Sequence, residues 1–130
     1  MYLSLTSWSF PALTLEETAA ISRIIGIGAL DISTKGRPGL DKAQLLGDPR
    51  AAAERVAALQ VKVPNFYHHF GDSLADRNLA LPGTIDANQR DLEKVLTFAD
   101  AAGIATIFFL PGIINPGQSR SQAITAAAES

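Results

Sequence analysis

The amino-acid sequence predicts an α/β protein built from four successive βα units. Two observations support this class: short runs rich in β-branched and aromatic residues alternate with longer segments of helical periodicity, and capping residues, glycine or proline mark the boundaries between them. Because every predicted strand is followed by a helix, the strands are expected to be parallel and the crossovers right-handed.

The first βα unit begins with the run from Tyr2 to Phe10 (YLSLTSWSF), which is β-prone and predicts the first strand. Thr14 and Glu17 follow with the T-x-x-E spacing of a capping box, in which both side chains satisfy backbone N–H groups at a helix start. Gly26 or Gly28 is expected to end that helix.

The second unit starts at Ala29 to Ser33 (ALDIS), which is too short for a helix and predicts the second strand. A Gly/Pro loop at Lys35 to Gly39 follows it. Asp48 and Pro49 then indicate a helix start, with an N-cap acceptor and proline at the first helical position. The buried stripe of this helix is expected at Ala52, Val56 and Leu59.

The last two units are predicted in the same way. The run from Val61 to Phe70 predicts the third strand, and a helix is expected from about Ala87 to Ala102, with Gly103 following it. Ile104 to Leu110 (IATIFFL) predicts the fourth strand, apolar on both faces. Ser119 to Ser130 predicts a final helix that begins with the capping-box spacing S-x-x-Q.

Composition restricts the function. The 130 residues fit one domain, and a net charge of −2 without blocks of like charge argues against nucleic acid and anionic membranes, leaving a small neutral or anionic ligand. The absence of cysteine excludes disulfides and thiolate metal sites and fits a reducing compartment. No secretory signal or membrane-spanning run is evident, so a cytoplasmic protein is expected.

Four βα units fit two folds: a self-contained open sheet of the doubly wound kind, or the first half of a (βα)8 barrel. Several motifs bear on this choice through their order and spacing: Asn65 to Gly71 (NFYHHFG), Asp76-Arg77, Phe98 to Ile104 (FADAAGI), Thr106 to Gly112 (TIFFLPG) and Gly117 to Ser119 (GQS). In these motifs the sequence resembles the sugar phosphate isomerase/epimerase group of the xylose isomerase-like TIM barrels. The resemblance is to the N-terminal half of the barrel only.

The resemblance implies an isomerase or epimerase that acts on a carbohydrate with a divalent metal (Mn, Mg, Zn or Co). In that family the principal metal ligands come mainly from strands of the second half, so the 130-residue chain alone is expected to be inactive and to bind no metal tightly. The alternative is an α/β half-barrel that binds a ligand without catalysis and is either self-contained or paired with a copy of itself as a homo-oligomer. An endonuclease-type barrel is disfavoured by the lack of a basic surface.

Candidate substrate-binding residues lie at the predicted strand ends. His68 and His69 are the only histidines, and as neighbours on a strand they point to opposite faces and cannot both chelate one metal. Asn65 and Tyr67 share a face with His69, and this more polar set is the predicted inward face, although packing is the expected role of Tyr67.

Two further candidates come from the first two strands. Trp8 ends the first strand, where it either flanks a sugar or packs at the rim, and Asp31 lies within the second strand between apolar neighbours, where a carboxylate needs a partner. The predicted substrate-binding set is therefore Trp8, Asp31, Asn65, His68 and His69. The sequence assigns neither a catalytic residue nor a metal ligand.

Overall fold

The computed structural model describes residues 3–130 and has an α/β fold with a four-stranded parallel sheet in the order β1-β2-β3-β4. The strands are β1 (Leu5–Thr6), β2 (Leu30–Ser33), β3 (Asn65–His68) and β4 (Thr106–Phe109). The helices are α1 (Leu15–Ile24), α2 (Lys42–Gly47), α3 (Pro49–Ala58), α4 (Ile85–Ala102) and α5 (Arg120–Glu129). The predicted α/β class with four parallel βα units is confirmed.

The register of the sheet determines which side chains lie side by side. β1 pairs with β2 so that Thr6 lies opposite Asp31, and β2 pairs with β3 so that Ile32 lies opposite Phe66. Opposite residues of parallel strands point to the same face of the sheet. Side chains therefore form rows that run across the strands.

The strands are shorter than the sequence predicts. The first, predicted from Tyr2 to Phe10, is a two-residue strand followed by a 3-10 turn at Ser7–Ser9, and Tyr2 lies outside the described residues. The third, predicted from Val61 to Phe70, begins only after Pro64, which has no N–H group to donate to a sheet ladder.

Helix α2 is the one helix that the sequence analysis missed among the described residues. Its N-cap is Asp41, whose side chain accepts a hydrogen bond from the backbone N–H of Gln44 at 2.8 Å. The signal was therefore present, but the helix has only six residues and shows little periodicity. The other helices begin and end within about two residues of their predicted bounds.

The chain divides into two compact units, of which the first comprises residues 3–68 and 94–108. Its apolar core includes Leu30, Ile32 and Phe66 from the sheet and Val95 and Phe98 from α4. The rings of Phe66 and Phe98 meet edge to face with their centroids 4.9 Å apart. The first unit thus has one face of the sheet packed against helices, as a βα architecture requires.

The second unit comprises residues 69–93 and 109–130 and contains a network of amide side chains. Asn78 is buried and donates a hydrogen bond from Nδ2 to Oδ1 of Asn115 at 3.1 Å. Gln118 donates from Nε2 to the carbonyl oxygen of Ala80 at 2.8 Å. These bonds join the segment before α4 to the segment before α5.

The start of α1 carries the predicted capping box. Thr14 Oγ1 accepts from the backbone N–H of Glu17 at 3.2 Å, and Glu17 Oε2 accepts from the backbone N–H of Thr14 at 2.7 Å. The hydrogen bond from the Thr14 backbone, partly offset by desolvation, lowers the pKa of the exposed Glu17 carboxyl group. The Thr14→Ala variant is expected to lose about 1 kcal/mol of unfolding free energy, measured by urea denaturation.

The other bond of the capping box, from the Thr14 backbone N–H to the Glu17 carboxylate, depends on pH because it lowers the pKa of Glu17. A carboxyl group whose pKa is lower in the folded state stabilises the fold above its unfolded value near 4.5, and this stabilisation is lost as the pH falls through the folded pKa. The Glu17→Gln variant keeps the geometry but should flatten the pH dependence of stability in this window. If the stability of this variant depends on pH as that of the unmodified chain does, the pH dependence comes from other carboxyl groups.

Candidate functional site

The two faces of the sheet differ in the first unit. Leu30, Ile32 and Phe66 are buried against the helices. The alternate residues of the same strands point to the opposite face. That face borders a pocket of about 340 Å³, lined by Thr6, Trp8, Asp31, Asn65, Tyr67, Thr106 and Phe108. Ile32 and Phe66, which alternate with these residues along the strands, also border it although they are buried in the core.

Polar side chains, one from each strand, form the part of this lining that lies nearer the amino ends of the strands. We call them the polar row: Thr6, Asp31, Asn65 and Thr106. Asn65 Nδ2 donates to Asp31 Oδ1 at 2.7 Å, so the carboxylate has the partner that its place in a strand requires. Because this bond uses Asp31 Oδ1 and the amide nitrogen, Asp31 Oδ2 and Asn65 Oδ1 have no hydrogen-bond partner among residues 3–130.

Aromatic side chains lie two residues further along three of the strand paths, toward the carboxyl ends. We call them the aromatic row: Trp8, Tyr67 and Phe108. The Trp8 and Tyr67 rings meet edge to face with centroids 4.7 Å apart, and the Tyr67 and Phe108 centroids are 5.6 Å apart. Trp8 and Phe108 are about half exposed, whereas Tyr67 is buried, and this burial raises the pKa of its phenol.

The orientation of Trp8 is held by a hydrogen bond. Its indole Nε1 donates to Ser33 Oγ at 2.8 Å, and the same oxygen accepts from the backbone N–H of Lys35 at 3.0 Å. Ser33 is buried and occupies the β2 position between Trp8 and Tyr67, opposite Tyr67 in the register. The bond therefore ties the indole to the end of β2 and leaves a ring surface open to the pocket.

The structure brings together three of the five predicted site residues: Trp8, Asp31 and Asn65 all line the pocket. His68 lies on the opposite face, where it is fully buried and its ring stacks on Phe66 with centroids 6.2 Å apart. His69 follows β3, is half-buried and belongs to the second unit. Contact of either histidine with a substrate stays a prediction.

Sequence analysis did not select Tyr67, Thr6, Thr106 or Phe108 for the site, although all four line the pocket. Tyr67 was assigned to packing, and it does contact two other rings. The signal for the others was the two-residue alternation within the strands. Thr6 could be placed beside Asp31 only after the register between β1 and β2 was known, and Thr106 only after β4 was known to follow β3 in the sheet.

A divalent metal does not fit the residues that the structure describes. Among residues 3–130, no three histidine, aspartate or glutamate side chains are grouped so as to hold an ion. Asp31 is the one carboxylate in the pocket lining, and one of its oxygens bonds to Asn65. We therefore derive no step through a metal from these residues.

No model of a protein family matches the chain, and no curated protein matches it. No helix within the described part, residues 3–130, is long and apolar enough to cross a membrane.

Proposed function

We propose that this chain forms part of the carbohydrate pocket of a sugar or sugar phosphate isomerase or epimerase of the xylose isomerase-like barrel type. The observation that carries the proposal is the pairing of an aromatic row with a polar row on the open face of a parallel (βα)4 sheet. In (βα)8 enzymes the corresponding face lines the barrel, and substrates bind at the carboxyl ends of the strands.

The two rows match the two kinds of surface that a sugar presents. A sugar ring has apolar C–H faces and a periphery of hydroxyl groups. The half-exposed rings of Trp8 and Phe108 offer flat apolar contact area, and the polar row below them offers carboxylate, amide and hydroxyl groups for hydrogen bonds. A mainly apolar pocket with a few convergent polar groups is the usual form of a small-molecule site.

In this proposal the four units supply substrate binding, and the groups that transfer the proton or hydride lie elsewhere in the complete barrel, together with the principal metal ligands. The residues of the pocket bind and orient the sugar. The proposal places the protein in the cytoplasm, which agrees with its lack of cysteine.

A second candidate is a half-barrel that pairs with a copy of itself and binds a ligand without catalysis. This candidate is favoured by the outer strands of the sheet, since within residues 3–130 β1 and β4 each have a neighbouring strand on one side only. Two copies related by a two-fold axis would pair β4 of one with β1 of the other. Sedimentation velocity separates the candidates, since a stable symmetric dimer is expected only from self-pairing.

Fluorescence provides a direct test of sugar binding, because Trp8 is the only tryptophan of the chain and lines the pocket. Titration with D-xylose or D-fructose is expected to change the Trp8 emission saturably. The concentration range should extend well above roughly 1 mM, the upper end of usual KM values. The Asn65→Ala variant should weaken binding, because it removes an amide that hydrogen-bonds hydroxyl groups and holds Asp31.

Arg50→Ala is a suitable control, since this exposed residue on α3 is not part of the pocket lining. It should bind as the unmodified chain does. If no monosaccharide changes the emission or produces heat in calorimetry, the carbohydrate proposal is wrong.

A further inference from the structure

We propose that the pocket selects a carbohydrate that carries a protonated amino group over its neutral and phosphorylated counterparts. The proposal rests on the carbohydrate function above and narrows it to a substrate class. It follows from the charge of the lining, from the acceptors that the polar row leaves open, and from the aromatic rings around them.

The charge of the lining is negative. Among the lining residues that the structure describes, Asp31 is the one ionisable carboxylate, and none is a lysine or an arginine. A pocket of about 340 Å³ with apolar walls keeps a bound group close to this carboxylate and partly away from water, where a charge interacts more strongly than in bulk solvent. Sequence composition alone suggested a neutral or anionic ligand, whereas the pocket itself favours a cation.

The hydrogen-bonding groups of the polar row point to an amine with N–H donors. The bond between Asn65 Nδ2 and Asp31 Oδ1 leaves two acceptors, Asp31 Oδ2 and Asn65 Oδ1. An ammonium group has three donors and no acceptor, so it can donate to both oxygens. A quaternary ammonium group has no N–H and would leave both acceptors unsatisfied, which favours a primary amine.

The aromatic row adds to the same preference. Trp8, Tyr67 and Phe108 form a continuous series of rings, with neighbouring centroids 4.7 Å and 5.6 Å apart. The faces of these rings carry negative partial charge, which attracts a cation held near them. A phosphate dianion is disfavoured, because the ring faces and Asp31 both repel it and no cationic side chain among the described lining residues offsets this repulsion.

Calorimetric titration with D-glucosamine, D-glucose and D-glucose 6-phosphate tests the inference. The measurement is made at about pH 6, below the range in which an amine loses its proton. We expect D-glucosamine to bind about tenfold more tightly than D-glucose, and D-glucose 6-phosphate to bind most weakly. Added salt should weaken the binding of D-glucosamine more than that of D-glucose.

Two matched variants assign the preference to Asp31. Asp31→Asn removes the charge with little change of shape and should bring the affinity ratio of D-glucosamine to D-glucose close to one. Glu54→Gln removes the same charge from an exposed position on α3 and should leave the ratio unchanged. If Asp31→Asn does not fold, the effect of salt on the unmodified chain still tests the preference, since a charge interaction predicts that salt weakens the binding of D-glucosamine more than that of D-glucose.

The outcomes separate this inference from the function on which it rests. Equal affinities for D-glucosamine and D-glucose, or tighter binding of D-glucose 6-phosphate, overturn the amine preference and leave the carbohydrate pocket standing. If none of the sugars binds, both the pocket and the preference are wrong.

Discussion

Replacing Phe66 with alanine is expected to lower the free energy of unfolding by about 3–5 kcal/mol. Phe66 is fully buried, meets Phe98 edge to face at 4.9 Å and stacks on His68. Its removal costs the transfer free energy of a large ring and leaves a cavity in a packed core. Because domains are stable by only about 5–15 kcal/mol, urea denaturation followed by circular dichroism should show a large fall in midpoint.

The matched control for this prediction is Phe108→Ala. Phe108 is also a phenylalanine on a strand of the sheet, but 53% of it is exposed on the face opposite to the helices. Its loss should cost less than about 1 kcal/mol. Similar destabilisation by the two variants would contradict the assignment of Phe66 to the core and Phe108 to the open face.

Replacing Gly112, which lies in the second unit, with alanine is expected to lower the free energy of unfolding by about 3 kcal/mol or more. Gly112 has a φ angle of +113°, which residues other than glycine rarely adopt. A Cβ at this position would lie 2.2 Å from Cβ of Asn78, which is itself buried and hydrogen-bonded to Asn115. The methyl group can fit only if the amide network shifts.

Gly117→Ala separates the effect of the close approach from that of backbone conformation. Gly117 also has a positive φ, +79°, but a Cβ there meets no atom within 4 Å. It should cost only the backbone strain, roughly 1–2 kcal/mol. The N–H of Leu79 donates to the carbonyl of Pro111 at 3.0 Å, so the rate of amide hydrogen exchange at Leu79, compared between the two variants, measures the local effect. Equal losses in the two variants would refute the steric explanation.

Much of the fold could be predicted because its signals are local in the sequence. The capping boxes at Thr14 and Ser119 and the N-cap of Asp48 correctly located the starts of α1, α5 and α3. Strand lengths were less predictable: in the run from Val61 to Phe70, Lys62 makes an isolated bridge with Ala29, but the regular strand begins only after Pro64. Proline has no N–H group to donate to the ladder, so it interrupts a run that otherwise lies beside β2.

The candidate site was predictable only in part, because residue type is visible in the sequence but contacts between strands are not. Asp31 and Asn65 stood out as polar residues in strands, but their 2.7 Å hydrogen bond depends on the register between β2 and β3. His68 and His69 attracted attention through their rarity, which carries no information about position. The burial of His68 against Phe66 follows from strand alternation once the helix-facing residues are known.

The sequential strand order has a consequence for how the chain folds. In the described sheet each strand pairs with its neighbours in sequence, and the paired positions Leu5 and Leu30, or Ile32 and Phe66, are separated by one βα unit. Each pairing step therefore closes a loop of moderate and similar length. The sheet can grow from its first pair one strand at a time, in the order in which the ribosome delivers the strands.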